Sequence, residues 1–476
     1  MKRFDLVIVG GGVAGLVAAS GASQLGARVA LVERVSLGGD CLRTGCVPTK
    51  RLIRSAKAAS LVRRAGEFGV EVKEANVDFA KVMDGVRNVQ GSIGVHDSPE
   101  RFKEMGVEVI IGAGRFVDKG TFEVNGQRLA GKKFIIATGS SPVIIPVPGL
   151  KEAGVLTNET ALDLKELPKT IAILGAGPIG IEFAQAYGRL GSRVTVIEKQ
   201  ERILPREDSE VSDMLFKILA AEGVRIDVCT EIKNVCKAGG RKVLNARCPT
   251  GDKVYEADEV MVAIGRAPNV DGMGLEAAGV AYDRRKGIKV DERLRTTNRD
   301  IYACGDVVGH YAFTHVAEYH AGIALGNALF PFMKRRVDYR AVPWVTFSDP
   351  ELARVGLTEA EAREKFKDRV KVYRHYFKDV DRAVIEGEAN GMIKLVCSKD
   401  AALLGAHILG PNAGELLPEY VLAIREGLPV TKVSRAIHAY PTEAMALKRA
   451  ADEYYKEKLF TGWVQRLAKR LIRRGG

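Results

Sequence analysis

The stretch "FDLVIVGGGVAGLVAASGASQLGARVALVER", residues 4 to 34, decides the fold. A short apolar run meets three glycines, and an alanine-rich segment leads to a second apolar run that ends at Glu33. Both runs suit buried parallel strands. Gly10, Gly12 and Gly15 have G-x-G-x-x-G spacing. The first makes a tight turn. The second lets backbone approach a pyrophosphate at the positive end of the helix, and the third lets helix and strand pack closely. Glu33, 23 residues after the first glycine, stands where a carboxylate accepts hydrogen bonds from ribose hydroxyls.

One such motif is weak evidence, but the chain holds two. "IAILGAGPIGIEFAQAYGRLGSRVTVIEK", residues 171 to 199, repeats the pattern at an offset of 165, with Gly175, Gly177, Gly180 and Glu198 in the same places. The same offset takes Gly26 to Gly191, Arg28 to Arg193 and Val29 to Val194. Strand context, distal acid and duplication together predict two dinucleotide sites. Two sites imply two different dinucleotides with electron transfer between them. A carboxylate at Glu198 repels the extra phosphate of NADP, so NAD(H) is expected. Lys199 follows directly and keeps NADP(H) open.

At 476 residues the chain is too long for one core, and two to four domains are expected. A hydrophobic content of 46% with 28% charged residues is a globular composition. Seven scattered cysteines do not resemble a secreted disulfide framework, so a reducing cytoplasm is expected. No run approaches the length of a membrane span. The opening "MKRFDLVIVGGG" is interrupted by Asp5 and followed by no small-residue cleavage site, so no signal peptide is expected. The formal charge of +13 comes with no nucleic-acid motif.

"GGDCLRTGCVPTK", residues 38 to 50, places two cysteines together. On a regular helix, residues five apart are rotated by roughly 140° and rise about 7.5 Å. A disulfide needs Cα atoms within about 7 Å. Cys41 and Cys46 therefore cannot bridge inside regular helix, and Gly45 offers the freedom to bend. Pro48 suits the first turn of a helix over residues 48 to 65, with Cys46 just before it, where a thiolate is favoured. A zinc site wants about four ligands, and Cys229 and Cys236 are too far apart to be a second close pair. A staple closing so short a loop stabilises by only about 2 kcal/mol. A redox pair within reach of a dinucleotide-bound cofactor is the favoured reading.

On these residues the chain resembles the flavin-dependent pyridine nucleotide–disulfide oxidoreductases, the group with dihydrolipoamide dehydrogenase, glutathione reductase and mercuric reductase. The likeness runs from about residue 4 to 458. It implies an α/β chain with two Rossmann-like dinucleotide-binding domains and an α+β C-terminal dimerisation domain. Residues 1–150 and 272–340 would form the FAD-binding domain and 151–271 the NAD(P)-binding domain. Residues 341–458 would form the interface domain, followed by a basic tail, 459–476. Cys46 matches the cysteine against the flavin and Cys41 the interchange cysteine that meets substrate, the two forming a redox-active disulfide. Lys50 matches a lysine near the flavin N5, and Glu182 its ion-pair partner beside the nicotinamide. Thr138 and Gly139 in "ATGS" and Gly265 in "AIGRAPN" match the turns that join the dinucleotide folds. Asp306, ending "TTNRDIYACGD", matches the acid bonded to the ribityl and phosphate region of FAD, while Cys304 is expected in the core. Pro178 stands where relatives carry an apolar residue or a tyrosine over the nicotinamide pocket, which leaves no aromatic gate.

"VPWVTFSDPELARVGLTEAEA" and "GAHILGPNAGELLPEYVLAIREGL" resemble the family's interface domain, whose end completes the partner's active site, so a homodimer is implied. In dihydrolipoamide dehydrogenase and glutathione reductase that end carries His-Pro and a glutamate five residues after the histidine. Here Tyr440 precedes Pro441, and Met445 stands five further on. His438 is a candidate substitute base with Glu443 as its support; otherwise it is an interface residue. Tyrosine, with a pKa near 10, is a poor base at neutral pH. Losing general acid–base help costs typically about 10²–10⁴-fold. Mercuric reductases also lack that histidine, because a soft metal bound by thiolates needs no thiol proton shuttle. They carry a C-terminal cysteine pair that this chain lacks, its last cysteine being Cys397.

The expected function is FAD-dependent NAD(P)H oxidation, with electrons passing through Cys41–Cys46 to a disulfide, a soft metal ion or another acceptor. Dihydrolipoamide dehydrogenase, which would run the same path in reverse, is the alternative. The tail "LFTGWVQRLAKRLIRRGG" carries five basic residues and no acid. Trp463, Val464, Leu467, Leu471 and Ile472 form an apolar stripe on it. That suits an amphipathic helix on an anionic membrane surface, a helix packed on the dimer, or a solvated tail. The membrane reading would add a quinone to the acceptors and suggests a rival of another class, a redox-responsive membrane-surface binding protein.

Overall fold

A computed structural model describes residues 1–330 and 332–474. The apolar run at the start becomes the strand Lys2–Val9, parallel to Val29–Glu33 on one side and Gln127–Ile136 on the other. The sheet runs Glu108–Ile111, Val29–Glu33, Lys2–Val9, Gln127–Ile136, Thr121–Val124, Gly114–Asp118. The long strand Gln127–Ile136 is shared along one edge. Its first half pairs antiparallel with Thr121–Val124, and its second half pairs parallel with Ile301–Ala303. The chain thus leaves this sheet after residue 136 and returns to it near residue 300.

The second motif builds a four-stranded parallel sheet, ordered Arg225–Asp227, Arg193–Ile197, Thr170–Leu174, Glu259–Val262. The sequence repeat persists in the hydrogen bonds. The Gly10 N–H donates to the Val32 carbonyl at 2.8 Å, and the Gly175 N–H to the Ile197 carbonyl at 2.9 Å. Gly10 and Gly175 hold φ of +112° and +102°, which disfavours any side chain. A Cβ on Gly15 would strike the Gly10 carbonyl, and one on Gly180 would strike that of Gly175.

Two short strands, Ser140–Pro142 and Arg266–Pro268, pair where the chain crosses between the folds. The Asn269 side chain donates to the Thr138 carbonyl at 2.8 Å, and the Thr138 hydroxyl donates to the Asn269 carbonyl at 2.8 Å.

The C-terminal part is a five-stranded antiparallel sheet, ordered Pro343–Thr346, Glu351–Gly356, Leu403–Gly410, Met392–Ser398, Val370–Tyr376. Phe377, Leu395, Ile408, Tyr420 and Tyr454 share its core with the helices Pro418–Arg425 and Met445–Phe460. Lys394, only 3% exposed, ties this sheet to the second fold. Its ammonium lies 2.8 Å from Asp208, 3.0 Å from Glu210 and 2.8 Å from Glu359. Among the described residues no helix is long and apolar enough to cross a membrane.

Candidate active site

The cysteine loop folds as a short helix, Gly39–Arg43, a break at Thr44 and Gly45, and a long helix, Cys46–Arg63. The long helix starts two residues earlier than Pro48 suggests, so Cys46 is its first residue rather than a flanking one. The residue therefore stands at the positive end of the helix dipole, in the turn whose N–H groups have no partner within the helix. Both cysteines are thiols in the structure. Cys46 is depressed to about 6. The hydrogen bond with Cys41 is the largest influence; burial opposes it, and the Thr314 hydroxyl and the Lys50 charge reinforce it. Cys41 is pushed far above the usual thiol range, first by that same hydrogen bond and then by burial. The Cys46 sulfur lies 3.4 Å from Thr314 Oγ1.

The next turn of the long helix carries Lys50. The helix packs on Pro178–Leu190 through Leu52 and Ala56 against Phe183 and Tyr187, the two aromatic rings being stacked at 5.8 Å. That packing brings Lys50 Nζ to 2.8 Å from Glu182 Oε2. Glu182 is nearly buried, and its other oxygen accepts the Phe347 N–H at 2.9 Å. The Lys50 ammonium also lies 4.5 Å from the centroid of the Phe347 ring. Residues from all three sheets' neighbourhoods thus meet beside the cysteines.

Glu33 and Glu198 play one role in the two folds. Glu33 accepts the N–H groups of Gly11 at 2.7 Å and Val35 at 2.9 Å. Glu198 accepts those of Ala176 and Gln200, both at 2.7 Å. Each carboxylate is oriented beside its glycine turn with further lone pairs to offer a ribose. Lys199, the residue that kept NADP(H) open, is bound to Glu231 at 2.8 Å.

The helix N-termini at Gly12 and Gly177 carry no side-chain cap. A Cβ on Gly177 would meet nothing within 4 Å, and one on Gly12 only the Gly39 Cα at 3.8 Å. Open space in front of uncapped N–H groups fits a dinucleotide pyrophosphate in each fold. Gly139 and Gly265 likewise have φ of +68° and +142° with open space beside them. Asp306 lies at the rim of the first fold, where burial holds its carboxyl above the usual range. It accepts the Ser140 hydroxyl at 2.6 Å, and Ser140 Oγ accepts from Arg266 at 2.8 Å. Arg266 also stands 3.4 Å from Asp40, next to Cys41.

A family model described as "Pyridine nucleotide-disulphide oxidoreductase" matches residues 4–321, and that of its dimerisation domain matches residues 342–451. The chain belongs to the pyridine nucleotide-disulphide oxidoreductases. The mercuric reductase of Staphylococcus aureus is 36% identical over 455 residues, covering 95% of this chain and 83% of that protein. The dihydrolipoyl dehydrogenase of Bacillus subtilis (strain 168) is 35% identical over 468 residues, covering 94% of this chain and 97% of that protein. The HOCl-induced flavoprotein disulfide reductase RclA from Escherichia coli, solved as its Cu(II) complex, superposes with a TM-score of 0.86 at 29% identity. That match covers 95% of this chain and all of the other. The chain is an FAD- and NAD(P)H-dependent flavoprotein oxidoreductase with a dimerisation domain.

The end of that domain differs from the sequence expectation. His438 does not use Glu443, whose carboxylate instead accepts from Asn412 at 2.8 Å. Its Nε2 faces Glu419 Oε2 at 3.1 Å and its Nδ1 the Ala436 carbonyl at 3.2 Å. Both ring nitrogens face oxygen acceptors, and the side chain is nearly buried. Tyr440 is 70% exposed, and its hydroxyl donates to Asp381 at 2.9 Å, which raises its pKa further. The two side chains do not form one site. Cys304 is buried in the first fold, as expected. Thr314, Phe347, Asp40, Arg266, Asp381 and Glu419 were not foreseen. Asp40 and Arg266 stood inside the quoted cysteine and "AIGRAPN" motifs, and Phe347 and Glu419 inside the quoted interface-domain stretches, but no spacing signal pointed to their roles; Thr314 and Asp381 lay outside every quoted motif.

Proposed function

We propose that this chain uses NADH to reduce the Cys41–Cys46 disulfide and passes the electrons to a thiophilic metal ion delivered on thiolates. The observation that carries the reading is the end of the dimerisation domain. A tyrosine bonded to Asp381 precedes Pro441, Met445 stands five residues on, and His438 faces Glu419 rather than Glu443. A dithiol or disulfide substrate needs a base that takes and returns a thiol proton. A metal–thiolate substrate carries no such proton.

The two glycine-rich folds would hold FAD (Gly10, Gly12, Gly15, Glu33, Thr138, Gly139, Asp306) and NADH (Gly175, Gly177, Gly180, Glu198, Gly265). FAD, when bound, supplies the two-electron relay between nicotinamide and disulfide. Lys50 and Glu182 hold one positive and one negative charge in fixed register between the two folds, and Phe347 supports both, through its ring beside the ammonium and its N–H on the carboxylate. Cleaving the Cys41–Cys46 bond takes two electrons and leaves Cys46 as thiolate, favoured by its hydrogen bonds and helix position, and Cys41 as the thiol that takes one proton. When that proton leaves and two electrons pass to one Hg(II) ion, or one each to two Cu(II) ions, the S–S bond re-forms. Glu198 repels a 2′-phosphate, and the Lys199 ammonium is drawn to Glu231 instead, which favours NADH over NADPH.

Mercuric reductase and the Cu(II) complex of RclA supply the test metals. Steady-state NADH oxidation is measured with FAD-loaded protein and either Hg(II) in excess thiol or Cu(II) without added thiol, because free thiols reduce Cu(II) on their own. Turnover with either metal, abolished in Cys41→Ser, supports the reading. Turnover with dihydrolipoamide and NAD at comparable kcat/KM identifies a dihydrolipoamide dehydrogenase instead. Preference for a quinone or a small disulfide also overturns the metal assignment.

A further inference from the structure

The final helix takes no part in the chemistry described above. Gly462–Arg474 follows the end of Met445–Phe460 and carries Arg466, Lys469, Arg470, Arg473 and Arg474 with no acidic residue. Trp463, Leu467, Leu471 and Ile472 are exposed on it, Trp463 by 68% and Ile472 by 77%. At 3.6 residues per turn, Trp463, Val464, Leu467 and Leu471 fall within an arc of roughly 100°. Arg466, Lys469, Arg470 and Arg473 fall in the adjoining arc of about the same width. Up to Arg473 the helix is thus divided lengthwise into an apolar face and a cationic flank; Arg474, its last position, falls on the apolar arc. Phe460, just before the bend, is also exposed.

Several features of this helix select its partner. All of its charges have one sign, which matches a surface with a continuous field of negative charge rather than a groove of mixed charges. Long Lys and Arg stems beside an apolar face can lie along it while their heads reach phosphates. Tryptophan favours the boundary between headgroups and acyl chains. Thirteen residues span about 20 Å, so the helix can lie flat in the interface, and it cannot cross. We propose that Gly462–Arg474 is an in-plane anchor that docks the enzyme on anionic phospholipid. The two helices of a dimer would add their affinities if both face one surface. This docking is independent of which acceptor the cysteines reduce.

The test uses the full-length, FAD-loaded enzyme and sucrose-loaded vesicles of phosphatidylcholine with about one-third phosphatidylglycerol. The enzyme is expected to co-sediment with these vesicles. It should bind at least about tenfold less to phosphatidylcholine alone, and in about 0.5 M salt, where screening is short-ranged. The double variant Leu467→Glu, Leu471→Glu should lose binding while its NADH oxidation rate stays unchanged. Trp463 emission should shift to shorter wavelength on vesicles, a shift missing in Trp463→Phe. Equal sedimentation of wild type and double variant would overturn the proposal. So would Trp463 already shielded from a soluble quencher without vesicles, or tail deletion that splits the dimer, since either shows the face covered by protein.

Discussion

At the scale of single residues, the chemistry rests on an asymmetry between two thiols five positions apart. Cys46 opens a helix and receives hydrogen bonds from Cys41 and Thr314; Cys41 gives its proton to that arrangement. Above pH about 6 the reduced pair carries its charge on Cys46, and below it that charge is lost. The reduced protein should therefore show thiolate absorbance near 240 nm that appears as pH rises through about 6, read as the difference between wild type and Cys46→Ser. In Cys41→Ala the largest cause of the shift is gone, and the midpoint should move upward. A midpoint in the ordinary thiol range for the wild type would contradict the arrangement. The cysteines, the glycines and Lys50 were legible in the sequence because each belongs to a local motif. The partners of His438 and Tyr440 were not. Glu419 and Asp381 lie 19 and 59 positions away, and no periodicity links residues brought together by a sheet and its covering helices.

At the scale of elements, the two strand–turn–helix units show which glycines serve the fold and which serve a ligand. The third glycine of each motif faces backbone. A methyl on Gly180 would strike the Gly175 carbonyl, so Gly180→Ala should fold poorly or melt well below wild type. The second glycine faces open space. At Gly177, φ of −72° and ψ of 178° suit alanine, so Gly177→Ala should keep its melting temperature. Its methyl would stand where the pyrophosphate belongs, and KM for NADH should rise about tenfold or more, a loss of about 1.4 kcal/mol in binding. Equal effects on melting for the two variants, or an unchanged KM for Gly177→Ala, would remove the assigned roles. The repeat at an offset of 165 made these units readable in the sequence, and the hydrogen bonds of Glu33 and Glu198 reproduce it atom for atom. The start of the cysteine helix was misplaced by two residues, because Pro48 marks a first turn without saying which of its positions it occupies.

At the scale of the whole molecule, the site exists only while three sheets keep their relative positions. Lys50 belongs to the first fold, Glu182 to the second, and Phe347 follows directly on a strand of the C-terminal sheet. Lys394 holds the last two together by facing Asp208, Glu210 and Glu359 from a nearly closed position. Removing one partner from a buried ionic cluster strands the other charges, at a cost of roughly 3–5 kcal/mol. Lys394→Met should accordingly lose about that much stability in urea, whereas loss of a surface pair such as Arg87–Asp84 should cost less than about 1 kcal/mol. The order of folds along the chain was readable from motifs. The return of Ile301–Ala303 to the first sheet came only from family likeness, since a three-residue strand has no pattern of its own. The central claim joins all three scales: nicotinamide electrons reach Cys41 and Cys46 through a bound flavin. Anaerobic titration of the FAD-loaded enzyme tests it most directly. Wild type should take up four electrons per subunit, about half of them held by the cysteines, and Cys41→Ser should take up two. Two electrons in both proteins would contradict the account.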